Sequence, residues 1–106
     1  MLVAQSLSLD LIRCLRPLVA RMRVTCPDLA AQVVRAATSV GLNLGEGVHR
    51  AGADKRRAYR IAAAEAQEVK AALEVAAAWG ALADADLADA RALADRVGRL
   101  TFGLAR

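Results

Sequence analysis

Gln32–Arg50, QVVRAATSVGLNLGEGVHR, carries two stripes of residues at helical spacing. Leu29, Val33, Ala36, Val40, Asn43 and Gly47 advance by fours and threes, the spacing of a helix face turned toward a core. Gln32, Ser39 and Glu46 recur every seven residues beside that face. Polar residues in such a pattern, with glycines at 41, 45 and 47, ill suit a helix lying in water. Each interior Gly costs about 1 kcal/mol relative to Ala, so close packing or a site is expected to offset it. The stretch predicts one long helix around which the others are arranged.

The flanking sequence predicts three more. Upstream, Leu11, Ile12, Leu15, Leu18, Val19 and Met22 form the apolar stripe of a helix from about Ser6 to Val24. Pro17 removes one backbone donor inside that stripe and is expected to kink it near Arg13. Thr25-Cys26-Pro27-Asp28 is a turn and helix start, with proline early and an acid in the first turn. Downstream, a break at Ala51-Gly52 precedes a helix from about Ala53 to Trp79, with Asp54 or a neighbour as its cap. Its seam, Tyr59, Ala62, Ala66, Val69, Leu73, Ala76 and Gly80, alternates steps of three and four, and small residues there permit close helix approach. Gly80 is a C-terminal stop. The last helix starts near Asp84, turns Leu87, Ala90, Leu93, Val97, Leu100 and Leu104 inward, and ends among Arg96, Arg99 and Arg106. No strand pattern interrupts the series, so the fold expected is all-α, an antiparallel up-down-up-down four-helix bundle forming one domain over residues 1–106.

Composition bounds the assembly. Hydrophobic residues make up 57% of the 106, yet only 3% are aromatic, and alanine supplies much of the rest. Alanine removes little area from water at roughly 25 cal/mol per Å². A monomer built this way has a thin core, so a homo-oligomer is expected. No run approaches the ~20 apolar residues of a membrane span. The opening MLVAQSLSLDLIR lacks a basic start and a cleavage site, so a cytoplasmic chain is expected. Cys14 and Cys26 lie ~15–18 Å apart along a helix, beyond disulfide reach, and predict free thiols. Net charge is +4, which by itself decides nothing about partners.

Ser39-Val-Gly-Leu-Asn43-Leu-Gly-Glu46-Gly47-Val-His-Arg50, preceded by Gln32-Val-Val-Arg35-Ala36-Ala37, resembles a known family of four helix bundle proteins. That family includes proteins encoded in intervening sequences of large-subunit ribosomal RNA genes, and the accessory variability determinant of diversity-generating retroelements. Lys55-Arg-Arg-Ala-Tyr59-Arg60-Ile-Ala is similar to its basic and aromatic segment. The likeness runs from about Leu7 to Leu100. Gly45 stands where alanine is usual, and Tyr59-Arg60-Ile61 where phenylalanines are common. The resemblance implies a pentameric barrel of bundles with a basic surface. For the retroelement members it implies binding of nucleic acid and of a reverse transcriptase.

The candidate sites divide into a polar set and a cationic set. Gln32, Ser39, Asn43, Glu46 and Gly47 read as structural, with Asn43 fixing register at a seam and Glu46 held by hydrogen bonds or by Arg50 one turn on. Catalysis would need a second titrating group beside Glu46 and His49. The chain offers no nucleophile–base pair, phosphate loop or metal-ligand set, so no catalytic residue, metal or cofactor is expected. His49, the only histidine, is placed at a solvent-facing helix end, and Trp79 as an anchor at the bundle end or a subunit contact. Lys55, Arg56 and Arg57 crowd the start of the third helix, between Arg50 and Arg60. Positive charge there opposes the helix dipole by about 0.3–1 kcal/mol per residue, yet free amides and guanidinium groups together suit a phosphate. A merely solvated basic end is the alternative. Arg16 and Arg23 add a second pair on the first helix, with Arg13 and Arg21 farther round. The function expected is non-enzymatic binding of an RNA or DNA backbone, as accessory to a processing partner such as a reverse transcriptase. The competing reading is a protein–protein adaptor whose charges serve solubility.

Overall fold

The computed structural model describes residues 1–106. It contains four helices, α1 (Val3–Thr25), α2 (Pro27–Val48), α3 (Gly52–Ala78) and α4 (Asp84–Leu104), and no strand. Each helix packs on the next in chain order, and α1 closes the array against α4. The result is an all-α antiparallel bundle of 43 × 22 × 19 Å. No helix is long and apolar enough to cross a membrane.

The turns follow from backbone chemistry. Only Cys26 separates α1 from α2, and Pro27 opens α2 where its missing N–H is no loss. Gly52 (φ +55°) and Gly80 (φ +77°) take left-handed conformations that other residues rarely adopt. Asp54 is not the cap of α3. Ala51 holds that position without a side-chain bond, and Asp54 lies inside the first turn, where its charge suits the helix dipole. Helix α1 starts three residues before the expected Ser6, because Gln5 Oε1 accepts the Leu2 N–H at 2.8 Å and completes an extra turn. It then runs unbroken through Pro17.

One apolar cluster of 24 residues fills the bundle, and ten of these are alanine. The α3 seam is buried from Tyr59 to Ala76, but its last expected member, Gly80, is exposed because α3 ends at Ala78. On α2, Val33, Ala36, Val40 and Gly47 are buried as expected. Gly47 shows why a glycine is needed there, since a Cβ would overlap the Tyr59 ring. Gly41 and Gly45 are different: a Cβ would make ordinary contacts with Ser8 and Gln5, so packing does not require either. On α4 the inward face is rotated from the leucine pattern. Ala94 and Thr101 are buried, while Leu93, Leu100 and Leu104 are half-buried. The Thr101 hydroxyl donates to the Val97 carbonyl at 2.9 Å, which removes the cost of burying it.

Candidate nucleic-acid interface

The polar signature of α2 resolves into local contacts. Asn43 does not fix register between helices. Its Nδ2 donates to the Ser39 carbonyl at 2.9 Å and to Ser39 Oγ at 3.1 Å, both one turn back on α2. Leu44, fully buried, fills the core step beside it. Gln32 is exposed. Glu46 is also largely open to solvent, and its Oε1 accepts Arg50 Nε at 2.9 Å. That hydrogen bond raises the Arg50 pKa, reinforced by the charge of Glu46. His49 is the exposed C-cap of α2.

Trp79 departs from the first of its two sequence readings, the anchor at the bundle end. It is 76% exposed and anchors nothing within the protomer, because α3 ends at Ala78 with its inward step already taken by Ala76. On the outer face of α2, Val34 is 42% and Leu42 69% exposed. With Ala31, Thr38 and the Ser39–Asn43 pair they line an open groove of about 790 Å³, bordered by Arg23 and Arg35.

The cations expected to bind nucleic acid lie on different flanks. Arg16 and Arg23 share the groove between α1 and α2. Arg57 faces a groove between α2 and α3 with Arg50, Asp54 and Glu46, where acids balance it. Lys55 is half-buried, while Arg56 and Arg60 are exposed, and none of the three has a carboxylate partner.

The register of α3 against α4 locates Arg56 and Arg60. Arg91 on α4 bonds Glu74 on α3 (2.8 and 2.9 Å), and Lys70 on α3 bonds Asp95 on α4 (3.1 Å). A Cβ on Gly98 would meet the Gln67 amide. The facing stripes are therefore Glu74, Lys70 and Gln67 and, antiparallel to them, Arg91, Asp95 and Gly98. Helical spacing carries them on to Ala63, Arg60 and Arg56 on α3 and to Phe102 on α4, so Phe102 falls opposite Ala63; Arg106 lies past the end of α4, with its guanidinium over the Phe102 ring. Sequence reasoning did not bring Phe102 and Arg106 together with the basic start of α3. The signal for them was topological, since an antiparallel α4 brings its basic C-terminal end beside the basic start of α3.

Charge follows the same division along the bundle axis. Residues 1–14, 38–66 and 99–106 make up the half that holds the α2–α3 turn. They carry eight Lys/Arg against four Asp/Glu, and the remaining residues carry seven against seven. The whole net charge of +4 thus resides in one half.

A model of the 23S rRNA-intervening sequence protein family matches residues 9–103. The chain belongs to that family. Among solved structures, the chain superposes with a TM-score of 0.87 on a protein of unknown function from the S23 ribosomal protein family of Bacteroides thetaiotaomicron. The two are 20% identical, and the match covers 98% of this chain and 99% of the other. At that identity the likeness speaks for the shared four-helix fold. No curated protein matches the chain.

Proposed function

We propose that this chain is a non-enzymatic, self-associating bundle that binds the backbone of RNA or DNA through its cationic half. The observation that carries the reading is the confinement of the surplus +4 charge to the half around the α2–α3 turn and the end of α4. A polyanion gains from such a focused field through counterion release. The family name ties its members to intervening sequences of 23S rRNA, which favours RNA as the first polyanion to test. No base-reading motif accompanies the arginines, so binding is to the backbone and weakly sequence-specific. Glu46 is engaged with Arg50 rather than free to act as a base, in keeping with a binding rather than a catalytic role.

Self-association is supported by the alanine-rich core and by the exposed Val34 and Leu42 on the outer face of α2. Five copies is the number suggested by the family resemblance, and a reverse transcriptase is a partner suggested by its retroelement members. Repetition around such an assembly would gather Arg16 and Arg23 of several copies near the α2 contact. The test is a light-scattering mass with and without RNA, paired with retention on RNA and DNA at moderate salt. Arg56→Glu/Arg57→Glu/Arg60→Glu abolishes retention while helicity is unchanged; retention equal to the parent sinks the assignment.

A second reading, a protein adaptor, draws on Trp79 and Val75, exposed toward the charge-neutral end of the bundle. A partner captured in a salt-insensitive pull-down, absent with Trp79→Ala and unaccompanied by any RNA or DNA shift, would favour it.

A further inference from the structure

The chain holds one tryptophan, one tyrosine and one phenylalanine. Tyr59 is buried against Gly47, whereas Phe102 is 62% exposed. Burying a phenylalanine removes a large apolar area from water, so leaving one exposed among arginines calls for a reason. The Arg106 guanidinium lies over the ring, 5.4 Å from its centroid. On the stripe of α3 that faces α4, Arg60 stands one turn from Ala63, the residue opposite Phe102, and Arg56 one turn farther toward the start of the helix. None of the three arginines has a carboxylate partner. Backbone attraction alone needs only charge. An aromatic ring with cations beside it adds what single-stranded binding uses, a π-face for a base with phosphate contacts on either side.

We propose that Phe102, flanked by Arg60, Arg106 and Arg56, is a stacking site for one base of a single-stranded nucleic acid. This rests on the nucleic-acid reading above and sharpens it, because a paired duplex hides the base faces that the ring would cover. The Arg106 guanidinium lies on one side of the ring, and the 62% exposure of Phe102 leaves ring surface for a base. Charge complementarity selects the occupant: a protein segment seated here would need to be acidic and aromatic at once, whereas every nucleotide brings both an anion and a flat ring.

The experiment compares the full chain with Phe102→Leu, using a labelled single strand of mixed sequence, the same strand as a duplex, and an abasic single strand of equal length. The substitution weakens binding of the mixed single strand by about five- to a hundred-fold, the range expected when a base–aromatic stack is removed. Duplex and abasic binding stay within about twofold, and the salt slope is unchanged because the substitution alters no charge. Phe102→Trp in a Trp79→Phe background restores affinity, and single strand quenches its indole fluorescence. Equal weakening on all three probes, or none, overturns the stacking site. A changed light-scattering mass with unchanged single-strand affinity also overturns it and marks Phe102 as a subunit contact. The wider reading is judged separately by Arg56→Glu/Arg57→Glu/Arg60→Glu: abolished binding there with Phe102→Leu silent removes only the stack, while a parent chain that binds none of the probes removes both.

Discussion

The groove between α3 and α4 is two different surfaces along its length. Toward the α3–α4 turn it is laced by Glu74–Arg91, Arg91–Asp84 and Lys70–Asp95. Past Gln67 and Gly98 the acids stop, and the same two stripes continue as Arg60 and Arg56 on α3 and Phe102 on α4, with Arg106 just past the helix end. The rest of the bundle repeats the contrast. Arg21 of α1 reaches Asp86 of α4 in the neutral half, whereas the pairs in the cationic half, Arg13–Asp10 and Arg50–Glu46, stay within single helices. Cross-helix bridges consume charge to hold neighbours in register; cations without such partners leave their field uncompensated. Identical side chains thus do unlike work according to what stands opposite.

If the division concerns charge alone, packing must be equal on both sides of it. Leu44 in the cationic half and Leu73 in the neutral half are both fully buried. Leu44→Ala and Leu73→Ala are each expected to cost about 2–5 kcal/mol, read by chemical denaturation with an unchanged m-value. A Leu44→Ala cost well below 1 kcal/mol would show a loosely packed cationic half and break the comparison. Gly47→Ala tests the same half by overfilling. The added methyl collides with Tyr59, at a cost of about 1–3 kcal/mol that exceeds the gain of about 1 kcal/mol in helix propensity. Gly41→Ala and Gly45→Ala meet only ordinary contacts and should stabilise.

The charges themselves are tested by crossing the halves. Arg56→Ala/Arg60→Ala should make the log–log salt slope of RNA binding shallower by about 0.7–0.9 for each phosphate that is no longer neutralised, with the melting temperature unmoved. Arg91→Ala should do the reverse. It frees Glu74 and Asp84 from their shared partner and lowers the melting temperature, while the salt slope stays as it was. Equal slopes in the two variants would mean that the field is spread over the whole bundle.

The helices and the two glycine turns were legible because each depends on short-range spacing in one segment. The α3 seam came through as far as Ala76 because it lies on a single uninterrupted heptad pattern. The α4 face did not. Leucines advertise burial more loudly than Ala94 and Thr101, and only the fit against α1 and α3 decides between them. Asn43 misled for a related reason: a polar residue at a core step suggests a cross-helix bond, and Ser39 one turn back supplies a nearer partner. For the site, the cationic start of α3 could be read directly. Its separation from Arg57, Arg16 and Arg23 could not, and neither could its union with Phe102 and Arg106, since both depend on which helices are neighbours and in what register.

Acid should expose the same division from the stability side. Hydrogen bonds from Arg91, Arg21 and Lys70, in that order, hold the carboxyls of Glu74, Asp86 and Asp95 below their ordinary values of 4.5, 3.8 and 3.8. Their stabilisation is therefore complete above about pH 4.5, and it fades as pH falls through the lowered folded-state values. All three lie in the neutral half, so α4 near Asp86 and Asp95 should lose hydrogen-exchange protection in acid before the Tyr59 end of α3 does. Glu65 runs the other way. Partial burial raises its pKa, and the neighbouring Glu68 raises it further against a smaller pull from Arg35. A carboxyl with a raised folded-state pKa favours the native state when protonated, and that advantage disappears as pH rises through the raised value. Glu65→Gln should accordingly stabilise at pH 7 by about 0.2–0.5 kcal/mol, the scale of a like-charge pair on a helix, and change nothing at pH 3. A stabilisation that persisted at pH 3 would trace the gain to packing and remove Glu65 from the electrostatic account.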